Sequence, residues 1–378
     1  MNKKNGFYIY LTGNTTSTGV DKKIDDQVEV LNNYVNCQKI IVPREKKNIF
    51  KSILWRMPFG SFGRNYNKAF ENIANVPDYI YIRFVAVDRK FLKFLWDIRK
   101  RYPDAKILLE VATYPYGVGW LKSKTMWPFY FKDRVNRKNL KGVVDKVVTY
   151  SDDSTIFRIP TIQVKNGIIV DRINPIYSSA KNERSDIIRL LAVAHLQNAH
   201  GYERCIEGLA EYYKNRPEKK IEFHIVGDGG ELNYYKGLVA KYKLDKYIFF
   251  YGMKSGDELE AICGMADIAL GIFGAYKVRI NKSSALKIRE YLARGLPVIS
   301  GCREDAMEKG GEKYFCIFPN DKSNIDMGQV IDFYNSIYQE GKSKISIREE
   351  IRDYAKQTID MQVVMQPVIR YLLADERK

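Results

Sequence analysis

The sequence predicts an α/β protein made of two doubly wound, Rossmann-like domains that face each other across a cleft. The length of 378 residues is enough for two domains with complete cores. Short β-rich runs alternate with helical stretches, which is the pattern of parallel α/β domains. The alternation pauses at the polar segment 175–186 and then starts again, so this segment is the predicted linker.

The first half is predicted to hold a sheet whose strands are separated by helices. Ile24, Val28 and Leu31 recur at helical spacing just after the glycine- and threonine-rich loop 12–20. The predicted strands are 7–11, 39–42, 79–84, 106–111, 146–150 and the closing segment 161–170, and the predicted helices are 21–34 and 91–102. We expect these elements to form an N-terminal domain over residues 1–183.

The second half repeats the alternation. A helix over 284–295 is predicted to stop at Gly295, because Pro297 follows just beyond it. The predicted strands are 187–194, 220–230 (running into a glycine loop), 247–252, 267–273 and 297–301, and the other predicted helices are 200–215, 234–244 and 257–266. We expect a C-terminal domain over 184–357, with a helix at about 358–378 that packs back on the first domain.

Several classes of protein are excluded by what the sequence lacks. It contains no GxGxxG or GK[ST] loop, no HExxH, no GxSxG elbow and no acidic cluster with metal-site spacing. The five cysteines show no CxxC spacing, which argues against a disulfide scaffold or a cysteine zinc site and fits a reducing compartment. No apolar run reaches the roughly 18 residues of a membrane helix. We expect a cytoplasmic protein without a bound metal.

The charge favours anionic partners. Lys and Arg number 62 against 45 Asp and Glu, a net charge of +17. Two stretches, 50–68 and 120–146, interleave aromatic residues with Lys and Arg. Such a mixture suits the inner membrane surface, where rings lie at headgroup depth and cations meet anionic lipid. The alternative is an ordinary helix packed through its aromatic residues. No motif that reads nucleic acid is present, so nucleic acid is not an expected partner.

The helix over 284–295 carries the chemistry expected of a nucleotide site. Lys287 and Glu290 are three residues apart and therefore share one face of the helix. Ser283 and Ser284 lie where the helix begins, so free backbone N–H groups there could bind a phosphate. Lys282 and Lys287 could neutralise a diphosphate, and a carboxylate one turn into the helix could accept hydrogen bonds from a ribose diol. The alternative is a surface salt bridge between Lys287 and Glu290.

The second half resembles the nucleotide-sugar domain of glycosyltransferase family 4, whose members have the GT-B fold. The resemblance rests on ALKIREYLARGLPVIS at 285–300 and on the segment 221–270 ahead of it. The first half resembles, more weakly, the bacterial capsule and exopolysaccharide branch of that family. The segments that carry this second resemblance are 19–31, 79–84, 108–117, 165–173 and 200–209.

The resemblance implies transfer of a sugar, with retention of anomeric configuration and without metal or cofactor. The implied donor is a UDP-, GDP- or dTDP-sugar, and the implied acceptor is a lipid-linked glycan or oligosaccharide used in capsule or exopolysaccharide synthesis. The implied location is cytoplasmic, peripheral at the inner face of the plasma membrane. Two alternatives stay open: a catalytically silent partner subunit of the same fold, and a nucleotide-sugar epimerase of that fold.

The resemblance also assigns residues of the donor site. Glu290 falls on the second glutamate of the family's E-x7-E motif, which binds the ribose, whereas Lys282 replaces the first glutamate. His195 and His200 replace the usual phosphate-binding Arg and Lys. Cations available to take over that role are Lys287, Lys282, Arg204 and Arg279, and the expected catalytic set is His200, Lys287, Lys282 and Arg204. Further expected nucleotide-sugar contacts are Gly227, Asp228, Gly229, Met253, Ser283, Ser284, Ala285 and Leu286.

The acceptor side is predicted in the first half. Gly13 and Gly19 belong to the first strand–helix loop, where glycine lets the backbone approach a ligand or simply makes a tight turn. Tyr114 and Tyr116 follow the strand 106–111, and we expect them to contact the acceptor or the sugar. His195 has an alternative too, as a hydrogen-bonded histidine at a strand end.

Overall fold

The computed structural model divides the chain into two compact α/β units. Unit 1 comprises residues 1–165 and 364–378, and unit 2 comprises residues 166–363. The described residues are 3–11, 18–46, 48–57, 60–116, 118–121, 123–176, 186–215, 217–308, 310–339 and 341–375.

Unit 1 is built on a seven-stranded sheet of order β2-β1-β3-β4-β5-β7-β6, in which only the short β6 runs antiparallel. Its strands are β1 (Asn5–Leu11), β2 (Asn36–Val42), β3 (Tyr79–Arg83), β4 (Lys106–Val111), β5 (Lys146–Thr149), β6 (Thr155–Ile156) and β7 (Ile159–Gln163). Its helices are α1 (Thr18–Tyr34), α2 (Ile49–Arg56), α3 (Tyr66–Glu71), α4 (Arg89–Arg101), α5 (Val118–Leu121) and α6 (Trp127–Asn136). Every residue of β4 is buried, as expected for a central parallel strand covered on both faces.

Most elements predicted for this half are confirmed, but two differ in their bounds, and α2, α3, α5, α6 and β6 are additional to the predicted elements. Helix α1 begins at Thr18, three residues earlier than expected. The segment 161–170 is not one strand: β7 ends at Gln163, and Ile168 forms only an isolated bridge with Asp360. Helix α2 was not predicted, because its apolar residues face solvent rather than a core; Asn48 caps it by accepting a hydrogen bond from the Lys51 N–H at 2.7 Å.

Unit 2 contains a six-stranded parallel sheet of order β10-β9-β8-β11-β13-β15 and a two-stranded ribbon of β12 and β14. Its strands are β8 (Ile187–Val193), β9 (Lys220–Val226), β10 (Ile248–Phe250), β11 (Ile268–Leu270), β12 (Lys282–Ser283), β13 (Val298–Ser300), β14 (Arg303–Glu304) and β15 (Phe315–Ile317). Its helices are α7 (Glu203–Lys214), α8 (Leu232–Tyr242), α9 (Gly256–Met265), α10 (Leu286–Ala293), α11 (Met327–Ile337) and α12 (Lys344–Thr358), and the short α13 (Met361–Val364) ends at the boundary with unit 1. Numbered along the chain, the six strands of the larger sheet have the Rossmann order 3-2-1-4-5-6.

The last helix, α14 (Gln366–Leu373), belongs to unit 1. Its C-terminal carbonyls are bound by Lys106, whose Nζ donates to Tyr371 O at 2.6 Å. The chain therefore divides at 165/166 and 363/364, where the sequence predicted 183/184 and 357/358. The earlier first division follows from packing, because Val170, Ile173 and Ile176 are part of the core of unit 2. Residues 177–185 of the predicted linker lie outside the described residues.

Within the described ranges, no helix combines the length and the apolar character needed to cross a bilayer.

Candidate active site

The strand order of unit 2 reverses between β8 and β11, and the loops that follow these two strands meet at the carboxyl edge of the sheet. Phe273 N–H donates to His200 O at 2.8 Å, and Gly274 N–H donates to Ala199 O at 3.1 Å. Ligands of open α/β sheets bind at such a topological switch point. This edge is therefore the candidate site.

Two glycines allow the loops to come this close. Gly201 has a φ of +63°, and a Cβ there would lie 2.3 Å from Gly274 N. A Cβ on Gly274 would in turn lie 2.6 Å from Asn198 O. Any larger residue at either position would push the two loops apart, so both glycines are required by the backbone itself.

The ammonium group of Lys287 lies at the carboxyl edge of the sheet. The residue lies in the first turn of α10, and its Nζ donates to Gly271 O at 2.9 Å and to Tyr202 OH at 3.0 Å. Desolvation lowers the pKa of Lys287 to about 7, although the nearby Glu304 partly opposes this shift. The group can therefore change its charge near neutral pH.

His200 lies beside Lys287. Its ring stacks on Tyr202 with centroids 5.5 Å apart, and its Nδ1 accepts a hydrogen bond from Gln197 N–H at 3.0 Å. Burial and the neighbouring Lys287 lower the pKa of His200 to about 3, so the imidazole is neutral at pH 7. His195, on the same loop, is exposed. Of the two histidines, His200 is thus fixed at the switch point as an uncharged group.

Glu290 lies one turn after Lys287 on α10 and is half-buried. Within the described part of the chain, no hydrogen bond or ion pair engages its carboxylate. The salt bridge to Lys287, the alternative raised by the spacing, does not form, because Lys287 turns to Gly271 and Tyr202. A half-buried carboxylate without a protein partner is suited to accept hydrogen bonds from a ligand.

The residues just before α10 differ from expectation. The helix begins at Leu286 with Ala285 as its N-cap, so Ser283 does not start the helix but lies in β12, paired with Glu304 of β14. The Ser284 hydroxyl is taken up by Asp305, to which it donates at 2.7 Å. Ala285 and Leu286 are half-buried at the helix start, and their contact with a nucleotide stays a prediction.

The other predicted cations lie in different settings. Arg204 is buried, and its guanidinium donates to Phe273 O at 2.9 Å and Pro319 O at 3.0 Å, which ties α7 to the loops. Lys282 is half-exposed, with its Nζ 3.8 Å from a carboxylate oxygen of Glu308. Arg279 is exposed, at a φ of +58°. The structure therefore brings together Lys287 and His200, while Arg204 is hydrogen-bonded to the loop that follows β11.

The loops after β9 and β10 complete the edge. Gly227 has a φ of +128°, and a Cβ there would lie 1.9 Å from Ala194 O. Gly229 has a φ of +153°, and a Cβ there would lie 2.2 Å from Leu196 O. Asp228 and Met253 are exposed. The two glycines thus allow the backbones of neighbouring loops to pack closely. Their contact with a nucleotide stays a prediction.

On the acceptor side, Gly13 lies outside the described residues, and Gly19 is exposed in the first turn of α1. Tyr114 and Tyr116 are half-buried and share an aromatic cluster with Phe157. The Tyr116 hydroxyl donates to the buried Asp133 at 2.7 Å. Their contact with an acceptor stays a prediction.

Sequence reasoning missed Glu304, Gly271 and Tyr202. Glu304 is buried, and its Oε1 accepts a hydrogen bond from Ser300 Oγ at 2.9 Å. Burial raises its pKa to about 7, and its Oε2 has no hydrogen-bond partner among the described residues. The only available signal was a glutamate shortly after a predicted strand. Among the residues described, no cluster of His, Cys, Asp and Glu could hold a metal ion.

Comparison with known proteins bears on this edge. Residues 175–325 match the family model of glycosyl transferases group 1. This domain makes the chain a glycosyltransferase. The match includes the loops after β8 to β13 and the whole of α10. No curated protein matches the sequence.

Solved structures resemble the glycosyltransferase over nearly its whole length. A glycosyltransferase from Rickettsia africae has a TM-score of 0.63 at 16% identity, with 98% of this chain and 100% of that chain covered. Anabaena HepE in complex with UDP has a TM-score of 0.60 at 13% identity, with 97% and 99% covered. The lipopolysaccharide outer core galactosyltransferase WaaB has a TM-score of 0.53 at 14% identity, with the same coverage. The shared fold is GT-B, with two Rossmann-like domains.

Proposed function

We propose that this glycosyltransferase takes a sugar from a nucleotide-diphosphate-sugar and places it on a glycan acceptor. The observation that carries the proposal is the pair on α10: the unpartnered, half-buried carboxylate of Glu290 and, one turn earlier, the Lys287 ammonium at the switch point. Glu290 would accept hydrogen bonds from the ribose diol. Lys287 would donate to the diphosphate.

The catalytic need is to stabilise the departing diphosphate. The bond between the anomeric carbon and the phosphate oxygen breaks, and the bond from that carbon to the acceptor oxygen forms on the same face. Because the new bond forms on the face from which the diphosphate leaves, the reaction retains configuration. The acceptor's proton passes to the leaving phosphate oxygen. Lys287 and the backbone N–H groups at the start of α10 offset the developing charge, which leaves no step that requires a metal.

We further propose UDP as the first nucleotide to test, because HepE forms a complex with UDP at this fold. GDP and dTDP are the other candidates. The proposed acceptor is a lipid-linked glycan of capsule or exopolysaccharide synthesis, and a lipid-linked acceptor would place the enzyme at the inner face of the plasma membrane. The net charge of +17 supports an anionic surface as the working location.

The test is a thermal-shift and calorimetric screen of the wild-type enzyme against UDP, GDP and dTDP. A nucleotide at 100 times its Kd should stabilise the folded state by about 2.7 kcal/mol. Glu290→Ala should abolish the shift, whereas the matched variant Glu349→Ala, at an exposed position on α12, should keep it. A shift that Glu290→Ala leaves intact would contradict the proposed site.

Transfer itself is tested with the nucleotide-sugar that binds best. Slow release of free sugar by the wild type, absent from Glu290→Ala, separates an enzyme from a silent subunit. The anomeric configuration of the released sugar, followed by NMR, tests retention. Unchanged turnover in excess EDTA tests metal independence.

A further inference from the structure

Helix α2 of unit 1 turns a broad apolar face to solvent. Phe50 is 80% exposed and Ile49 is 82% exposed. The exposed apolar residues of this helix and its C-cap are Ile49, Phe50, Ile53, Leu54 and Met57. They recur at helical spacing and so form one continuous stripe, while Trp55 is buried on the other side.

Helix α6 adds a second stripe. Trp127, Phe131 and Val135 follow one another at intervals of four residues and are all exposed. The inner sides of the two helices are joined, because Lys132 Nζ of α6 donates to Trp55 O of α2 at 2.5 Å. Phe129 of α6 and Trp55 also share one buried cluster. We call the exposed stripes of these two helices together the α2–α6 face.

The α2–α6 face concentrates the exposed apolar side chains of the described residues. Eight of the twenty large apolar side chains that are exposed lie on it, although the two helices and the C-cap of α2 contribute only 19 residues. Apolar residues scattered singly over a surface are ordinary, whereas a concentration of them on two helices that contact each other marks an interaction site.

The surroundings of this face carry positive charge. The sequence has no Asp or Glu between Glu45 and Glu71, and none between Glu110 and Asp133. Asp133 itself is buried and engaged by Val87 N–H at 2.8 Å. Exposed cations on or near the two helices are Lys46, Lys124, Arg134 and Lys138.

This charge decides between occupants. A second copy of the chain, docked by the same face in a two-fold dimer, would bring these cations against one another. An anionic bilayer instead satisfies both features, because apolar and aromatic side chains enter the headgroup boundary while Lys and Arg meet lipid phosphates.

We infer that the α2–α6 face is a docking surface for an anionic lipid bilayer, on which α2 and α6 lie with Phe50, Trp127 and Phe131 at headgroup depth. The inference gives the proposed membrane location a defined surface. It does not depend on sugar transfer, so the two can fail separately.

The experiment is vesicle flotation of the full-length wild-type protein, with phosphatidylcholine vesicles that contain either 30% or no phosphatidylglycerol. We expect binding to the anionic vesicles that is lost at 1 M NaCl, where charges are screened within about 3 Å. Phe50→Ser/Phe131→Ser should lower the partition coefficient at least tenfold. The matched variant Val76→Ser/Ile41→Ser, which removes two exposed apolar side chains elsewhere in unit 1, should leave it unchanged.

A charge variant, Lys124→Glu/Lys138→Glu, keeps the apolar face and should also weaken binding to anionic vesicles at least tenfold. The melting temperature and the nucleotide-induced shift of every variant show that the fold and the donor site are intact. Equal losses in the face variant and its matched control would overturn the inference. So would equal binding to neutral vesicles, or a dimer that the face variant converts to monomers.

Discussion

Among the described residues, each unit buries one glutamate almost completely, and the two carboxylates have opposite environments. Glu110 of β4 accepts hydrogen bonds from the hydroxyls of Tyr81 and Tyr150, both at 2.7 Å, and is ion-paired with Arg83. Although burial alone would raise its pKa, Arg83 and the other partners lower the pKa to about 2. Glu304 of unit 2 accepts hydrogen bonds from Ser300 Oγ and from the backbone N–H of Met307, but its Oε2 has no partner among the described residues. Burial raises its pKa to about 7.

The difference separates a structural group from a responsive one. A carboxylate whose lone pairs are all occupied keeps its charge over the physiological range and fastens the sheet around it. A carboxylate with an unpartnered oxygen, close to a lysine whose pKa is also about 7, changes protonation with its surroundings. Both residues are glutamates, so the residue type alone does not predict this difference.

The strongest test of the comparison is the same substitution in both places. Glu110→Gln leaves Arg83 buried without its counter-charge, and we expect it to lower the free energy of unfolding by about 3–5 kcal/mol. Glu304→Gln should lower it by less than about 1 kcal/mol at pH 7, since it removes a poorly solvated charge. Urea denaturation followed by circular dichroism measures both. Equal decreases in the free energy of unfolding would show that the two carboxylates contribute equally to stability.

The pH dependence of stability sharpens the contrast. The folded-state pKa of Glu304 lies above its ordinary value of 4.5, so stability from the protonated form is lost as pH rises from about 4.5 through 7. We expect Glu304→Gln to remove a decline on the order of 3 kcal/mol across that window. Urea midpoints at pH 5, 6, 7 and 8 measure it. Parallel wild-type and variant curves would contradict a raised pKa.

Replacement of Lys287, the lysine near Glu304, should lower the affinity for the ligand more than the stability of the fold. On the proposed function, Lys287→Ala removes a charge-assisted hydrogen bond to the diphosphate, and the Kd of the nucleotide-sugar should rise about 30-fold, or about 2 kcal/mol. Titration calorimetry measures the change. Lys246→Ala, at an exposed lysine of unit 2, is the matched control and should bind as the wild type does.

The smallest expected effect is the pH dependence of donor affinity. Because Lys287 of the free enzyme has a pKa of about 7 and binding needs the ammonium, the Kd should rise about tenfold from pH 6 to pH 8. Glu304→Gln should move that rise to lower pH by removing the nearby negative charge. Calorimetry with a nucleotide-sugar suits the measurement, since its diphosphate does not titrate in this range. If the Kd of the wild type did not change with pH, the proposed contact between Lys287 and the diphosphate would be wrong.

Much of the fold was predictable because the strands of both sheets are continuous apolar runs between clear helices. The α2 helix was not, since its apolar side faces outward and the sequence pattern alone does not say which side is covered. At the site, the spacing of Lys287 and Glu290 on one helix predicted a common face. It did not predict that Lys287 would turn to Gly271 and leave Glu290 without a partner, because that depends on how α10 packs against the loop after β11.

The return of α14 to unit 1 has a consequence for how the protein is made. Lys4 and Lys106 both grip carbonyls at the end of this helix, and its Val368, Ile369 and Leu372 are buried. During translation, unit 2 is fully synthesised before residues 364–375 emerge from the ribosome. Unit 1, although it is begun first, is therefore the one that acquires its final helix last.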